Sequence, residues 1–371
     1  MNRTLRKTLI LLVAFAVVAG LLYHSRRAIG LEGFRWDRFR EAVAGARLDL
    51  LLLSLGAIYV CYFLRALRWC RFTRYLGPSS VWRVFAATLM GFAAIFLLGR
   101  AGEPVRPLLI ARKEKLPATA MFGTYVVERV FDMATTIIMA SLSLVFLPAL
   151  IASKPATTEA TGSSNFLPVL QKAGFALLIG LVGLVAFLIY LRVTEGGAVV
   201  RALERGQAES GWKRKVAGVF RGFVEGLHAI RTWGDLGAAV VYTAVHWMLV
   251  VLIYHWVPLA FSGRFTQVDL RASVVVLACT MLGSTLQLPG VGGGSQLGCF
   301  LAMTQFLGAG TELAAAAAVM LWLVTFCGCS LAGIPLLLTE GMSYGELRRI
   351  AEQRDQSAAA PEAGVSRGTP T

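Results

Sequence analysis

The chain is 371 residues long, 56% hydrophobic and only 15% charged, with a formal net charge of +15. Repeated apolar runs at that composition exclude a soluble globular domain. The basic residues gather at the edges of those runs and no nucleic-acid-binding motif accompanies them, which excludes nucleic acid as the reason for the charge.

A helix that crosses a bilayer needs about 20 predominantly apolar residues. Six stretches meet that need: residues 8–23, 48–67, 117–147, 167–191, 235–259 and 311–338. The first follows the basic stretch MNRTLRK and has no crisp small-residue cleavage site, so it reads as an uncleaved first helix and not as a signal peptide. Residues 24–47 form a loop with six arginines. Two further apolar regions, 81–98 and 271–306, are flanked or interrupted by glycines and polar residues, so they read as segments that enter the membrane and return.

Residues 154–165, KPATTEATGSSN, read as an outer loop. Between the fourth and fifth spans, over about 193–233, Val216, Val219, Phe220, Phe223, Leu227 and Ile230 recur at helical spacing among Lys213, Arg214, Lys215, Arg221 and Arg231. That pattern fits a helix on an anionic lipid surface, or one packed on the protein's own cytoplasmic face. The sequence divides into a transmembrane domain, 1–340, and a polar tail, 341–371, whose composition predicts disorder.

Charge decides between topologies, because cytoplasmic loops carry the excess of Lys and Arg. Eight segments crossing in simple alternation from a cytoplasmic N-terminus place 15 basic residues inside and 19 outside, which is the wrong bias. If 81–98 dips from the cytoplasm and 271–306 from the opposite side, the inside holds 25 and the outside 9. The expectation is therefore an all-α polytopic membrane protein with about six full spans, two re-entrant hairpins of opposite orientation and both termini cytoplasmic. Two units of opposite orientation, each with a broken segment near the midplane, match the way transporters build a substrate site.

Six cysteines, at 61, 70, 279, 299, 327 and 329, form no CxxC pair, and His246 and His255 are nine apart in one span, so neither a metal nor a redox motif is indicated. No cofactor motif, nucleophile or catalytic constellation stands out either. GVGGGS at 290–295 follows an apolar segment, not a strand of a βαβ unit, and so is not a nucleotide loop.

Three polar motifs remain. GRAGEPVRP at 99–107 supplies Arg100, Gly102, Glu103 and Arg106; VERVFD at 127–132 supplies Glu128, Arg129 and Asp132; QLPGVGGGSQ at 287–296 supplies Gln287, Pro289, Gly290, Gly292, Gly293, Gly294, Ser295 and Gln296. Each ionisable group in hydrocarbon costs about 2.5–3.5 kcal/mol on insertion scales, so a chain that keeps several there uses them. Glu128 and Asp132, four apart, share a helix face. Two readings stand side by side. In one, Arg100 and Arg106 are bidentate phosphate donors in a cavity bounded by both hairpins, with backbone approach allowed by Gly99 and Gly102. In the other, Glu103 with Arg129, or Arg106 with Asp132, are internal ion pairs that fasten helices together.

At these residues the chain resembles the bacterial flippase-like membrane proteins that share the transmembrane region of lysylphosphatidylglycerol synthases. The resemblance covers roughly residues 5–340 and rests on the three motifs together. It implies an integral inner-membrane protein that moves a lipid between leaflets, with Arg100, Gly102, Glu103, Arg106, Glu128, Arg129, Asp132, Pro289, Gly290, Gly292 and Gly293 at the matching positions. It also implies membrane lipids as partners, carrying an anionic phospholipid or polyprenyl-phosphate head group. Members often have an acidic residue soon after the last glycines, where Ser295 and Gln296 stand here. Only a short polar tail follows the last span, so lysyl transfer is not expected. The alternative function is an accessory protein or enzyme of lipid or polyprenyl-linked glycan synthesis that presents a lipid to a partner.

Overall fold

In the computed structural model of the protein, the described residues are 33–152, 172, 174–183, 232–284, 287–288 and 292–341. Their regular secondary structure is helical apart from one two-residue ladder. In chain order the elements are α1 (Trp36–Ala44), α2 (Leu48–Thr73), α3 (Val81–Leu98), α4 (Val105–Glu114), α5 (Ala118–Ala152), α6 (Trp233–Leu259) and α7 (Leu270–Gly283). Then come β1 (Gln287–Leu288), β2 (Gly292–Gly293), α8 (Gly294–Gln305), α9 (Thr311–Trp322) and α10 (Gly328–Thr339). A π-helical turn, Leu323–Cys327, joins α9 to α10.

Among the described residues, five helices are long and apolar enough to cross a membrane: Leu48–Thr73, Val81–Gly102, Ala120–Leu150, Trp233–Leu259 and Thr311–Thr339. The protein is thus an all-α, multi-pass membrane protein. The expected first span at 8–23, the loop 154–165, the basic segment up to residue 231 and the tail beyond Gly341 lie outside the described residues. Of the expected span 167–191, only Lys172 and the apolar helix Gly174–Gly183 are described.

Two boundaries differ from the sequence expectation in ways that matter. The second span runs six residues past 67, to Thr73, so Arg68 joins Arg65 inside the helix and does not lie beyond its edge. The 24–47 loop contains α1, a helix with no buried residue whose entry is held by the Arg35 N–H donating to Glu312 Oε1 at 3.1 Å.

The first glycine-flanked region, 81–98, is not a hairpin by itself but one continuous helix, α3, long and apolar enough to cross, which forms a hairpin only with α4 beyond it; the second, 271–306, holds a helical hairpin within its own bounds. After α3 the chain turns through Gly99, which has φ +64°, and the short 3-10 turn 99–102, and α4 then runs back along α3. The approach is close: a Cβ on Gly102 would lie 2.3 Å from the Ala94 carbonyl oxygen, and one on Gly91 2.4 Å from Arg106 Cβ. Helices α7 and α8 form the second hairpin, where a Cβ on Gly283 would lie 2.1 Å from Gly294 O and one on Gly298 2.4 Å from Cys279 O. At its tip β1 pairs antiparallel with β2, Gln287 opposite Gly293 and Leu288 opposite Gly292. Residues 287–288 of this tip lie beside the 99–102 turn of the first, so the hairpins meet tip to tip.

The remaining helices hold that meeting in place. Helix α6 packs along α2, α10 along α3 and α7 against α5. The foot of α2 is tied to the head of α6: Asp235 takes hydrogen bonds from Arg74 Nη1 at 2.8 Å, Tyr75 Oη at 2.6 Å and Thr232 Oγ1 at 2.7 Å. Thr232 and Asp269 cap α6 and α7 by accepting the backbone N–H groups of Asp235 and Ala272.

Candidate functional site: a cavity between two hairpin tips

Starting from Ala118, Glu128 lies ten residues along α5, about 15 Å at 1.5 Å per residue. A carboxylate carried that far into an apolar helix must be compensated, and the compensation is complete. Glu128 Oε1 accepts from Arg65 Nη1 (3.0 Å), Arg68 Nη2 (2.8 Å) and Arg106 Nη1 (3.3 Å), while Oε2 accepts from Trp69 Nε1 (2.9 Å) and Arg106 Nη2. Asp132, one turn on, accepts from Arg65 Nη1 at 3.0 Å and Arg68 Nη2 at 3.2 Å. A carboxylate offers about four lone-pair positions, so Glu128 is saturated.

Arg106 is equally enclosed. It is 3% exposed, and its guanidinium carbon lies 5.0 Å from the Trp69 ring centre, 5.5 Å from that of Phe92 and 5.7 Å from that of Tyr125. Its partner is Glu128, and Asp132 belongs instead to Arg65 and Arg68. Three arginines face two carboxylates here, which leaves one surplus positive charge. Arg65 and Arg68 were not singled out from the sequence. Their signal was a pair of arginines three apart on one face of an apolar run, with Trp69 next in line.

The other motif residues surround open space. A cavity of about 570 Å³ lies between the hairpin tips. Arg100 and Glu103 reach it from the first tip, Ser284, Ser295 and Gln296 from the second hairpin, and Arg129 from α5. Its walls are aromatic: Tyr62 and Phe92 on one side, Trp247 and Tyr254 from α6, Trp322 and Phe326 from the α9–π segment. Glu103 is already partnered, since Tyr125 Oη donates to its Oε2, Arg129 Nη2 lies 3.8 Å from the same oxygen, and Arg129 Nε donates to Tyr125 Oη at 2.8 Å. Arg100 is exposed and makes no ion pair or side-chain hydrogen bond among the described residues.

At the second tip, Gln296 Oε1 accepts from the Gly293 N–H at 2.5 Å and from Ser295 Oγ at 3.2 Å, which fixes the start of α8 at the cavity edge. Gly293 has φ +87°, a conformation that favours glycine. Gly294 opens α8, the side chain of Gln287 and the surroundings of Gly292 are outside what is described, and Pro289 and Gly290 lie outside the described residues. Gly102 serves the packing of the first hairpin, because the space a side chain would need is taken by the Ala94 carbonyl.

The fold thus sorts the predicted residues into two groups. Arg106, Glu128 and Asp132 lie in a closed ion cluster. Arg100, Glu103, Arg129, Ser295 and Gln296 line a cavity that can take a ligand, with aromatic faces for apolar or ring-shaped parts and one unpaired guanidinium for an anion.

Among known proteins, the glycosyltransferase AglD of Haloferax volcanii is 31% identical to this chain over 204 residues, a stretch covering 51% of the chain and 32% of AglD. The chain spans about a third of the length of this relative. Residues 11–333 of this chain, nearly its whole length, match the family described as the lysylphosphatidylglycerol synthase TM region, and the chain belongs to that family.

Proposed function

We propose that the protein is a lipid transporter that moves a phosphate-bearing lipid between leaflets of a bacterial inner membrane, with the head group held in the cavity between the hairpin tips. The observation that carries this reading is Arg100, a guanidinium unpaired among the described residues and facing a cavity of about 570 Å³ where the two hairpin tips meet. Arg100 takes the phosphate in this reading, and the Glu103–Arg129 pair beside it opens and recloses as access alternates. Arg106, paired with Glu128 and enclosed by Trp69, holds the hairpin to α5 and α2. In this reading the hairpins dip from opposite sides, the first from the cytoplasm, in line with the excess of Lys and Arg that cytoplasmic segments carry. Both termini are then cytoplasmic.

The test is reconstitution of the purified chain alone into liposomes with acyl-labelled phosphatidylglycerol and leaflet-selective quenching. Loss of the protected inner-leaflet signal with the wild type, and its retention with Arg100→Gln, is the expected result. Full protection with the wild type would remove the transporter reading. A second reading is favoured by the likeness to AglD, whose name is that of a glycosyltransferase: the same cavity presents a lipid to a partner enzyme without moving it. Lipid binding that needs Arg100, without movement in the same liposomes, would select this second reading.

A further inference from the structure

One wall of the cavity is carried by a span that is broken at its middle. Within Thr311–Thr339 the π turn Leu323–Cys327 separates two arms of 12 residues each, α9 and α10. We infer that this turn is the hinge on which the Trp322–Phe326 wall swings, and that Tyr59 and Tyr62 of α2 are positioning residues that latch the wall closed. That the swing admits a lipid head group rests on the reading of the cavity given above; the hinge itself does not.

The backbone ladder is loosened at the turn and held from outside. The Gly328 N–H donates to Leu323 O, five residues back and not four. Around it, carbonyls take side-chain protons. Leu321 O accepts from Thr325 Oγ1 at 2.7 Å, Thr325 O from Tyr62 Oη at 3.1 Å, Phe326 O from Cys329 Sγ at 2.9 Å and Gly328 O from Tyr59 Oη at 2.8 Å. A π turn and side chains bonded into the ladder are both causes of a helix bend. Two of the four bonds come from α2, so a different helix sets the angle of this one.

The two arms are held unequally, as a hinge requires. Helix α10 is pressed against α3 and α2: a Cβ on Gly333 would lie 2.4 Å from the Leu89 carbonyl oxygen, and one on Gly328 2.9 Å from Leu55 Cδ1. Helix α9 packs mainly on α8 and α1, so it travels with the second hairpin while α10 stays with the first. The two sides meet at an aromatic contact. The Phe96 ring of α3 lies 6.2 Å from that of Trp322 and 5.7 Å from that of Phe326, and both of these partners line the cavity. Parting the rings opens the cavity along this seam. The Trp322 indole N–H is buried without a hydrogen-bond partner among the described residues, an unmade bond in the closed position that opening to water relieves.

The experiment reads motion and lipid movement separately, on the full chain. In nanodiscs, amide hydrogen exchange should be faster over 321–328 than over the interior of α6. Tyr59→Phe removes the hydroxyl of a residue outside the cavity lining, and it should speed exchange severalfold in 321–328 while leaving α6 unchanged. In liposomes, with the native cysteines replaced, Phe96→Cys combined with Phe326→Cys should move acyl-labelled phosphatidylglycerol while unbridged. A short cleavable thiol cross-linker should slow that movement about tenfold, and cleavage should restore it. Exchange over 321–328 as slow as in α6 and unmoved by Tyr59→Phe would make the turn a rigid kink and end the hinge. Equal rates for the bridged and unbridged protein would remove the swing from the lipid path. If no form moves lipid, the wild type included, while the exchange pattern holds, the transporter reading falls and the hinge stands.

Discussion

Arg100 and Arg106 are six residues apart in one motif, yet they end in opposite environments. Arg106 is closed in by Glu128 and three aromatic rings, in a cluster where every carboxylate oxygen is occupied. Arg100 stands at the tip of the same hairpin, exposed and unpaired among the described residues. The comparison shows that an arginine at membrane depth is not in itself a binding group. What separates scaffold from site is whether the acceptors around it are already used, and that is decided by helices distant in sequence, here α2 and α5.

The largest expected effect comes from breaking the closed cluster. Glu128→Gln removes the charge that three guanidiniums share, and an unpaired buried charge costs about 3–5 kcal/mol, so the variant should express poorly or melt far below the wild type in detergent. Arg100→Gln, on the exposed tip, should stay within about 0.5 kcal/mol of wild-type stability. Arg106→Gln combined with Glu128→Gln should recover part of the loss, because the two residues interact directly and their effects do not add. Equal melting temperatures for Glu128→Gln and Arg100→Gln would erase the distinction between cluster and cavity.

The same contrast explains what was legible in the sequence. Long apolar runs fix α2, α3, α5 and α6 in outline because hydropathy over about 20 residues is a local property. Glycines and prolines marked both hairpin tips for a local reason too, since Gly99 and Gly293 adopt positive φ. The partners of Glu128 were not legible. Arg65 and Arg68 precede Arg71 and Arg74 at the end of an apolar run, where a row of arginines looks like the basic edge of a span. Only the length of α2, which continues to Thr73, carries Arg68 inside along with Arg65. Nor does spacing say that Arg106 meets Glu128 and leaves Asp132 to α2, because i,i+4 geometry places both carboxylates on one face and the choice is tertiary. The aromatic wall of the cavity was hidden for a related reason: it is assembled from α2, α3, α6 and the π turn, and a tryptophan in a span reads from sequence as a packed or interfacial residue.

A middle-sized effect sharpens the comparison from the cavity side. Helices α7 and α8 touch backbone to backbone at Gly283 and Gly298, where an added Cβ would lie 2.1 Å and 2.4 Å from carbonyl oxygens that cannot rotate away. Gly298→Ala should splay the hairpin, cost about 1–3 kcal/mol and displace Ser284, Ser295 and Gln296 from the cavity wall. Lipid movement should then fall more than folding does, while the Glu128 cluster, built from other helices, keeps its resistance to detergent. Gly56→Ala in α2, where a Cβ meets nothing within 4 Å, serves as the control and should be tolerated. A Gly298→Ala variant that moves lipid at the wild-type rate would detach the second hairpin from the lipid path.

The smallest effect tests a pair that lies between the two extremes. At the foot of the first hairpin Glu114 accepts from Arg83 Nε and Nη2, both at 2.9 Å, and from the Ser80 N–H at 3.1 Å. The Glu114 side chain is 1% exposed while that of Arg83 is 58% exposed, so one partner belongs to the closed kind and the other to the open kind. Burial pushes the Glu114 carboxyl up, but the hydrogen bonds from Arg83 and Ser80 and the charges of Arg83 and Lys113 outweigh it and hold the group below its ordinary 4.5. The folded protein thus binds this proton less readily than the unfolded chain does. The stability contributed is complete above pH 4.5 and is lost as pH falls below it through the folded value. With Arg83 so exposed to solvent, the contribution is at most about 1 kcal/mol. Glu114→Gln should therefore melt slightly below the wild type at pH 7, and the gap should shrink as the pH is lowered below 4.5, since protonation turns the wild-type carboxyl into a neutral group like the amide. A gap that widens on acidification would mean that Glu114 is held protonated in the fold and that the Arg83 bridge is not what anchors the hairpin foot.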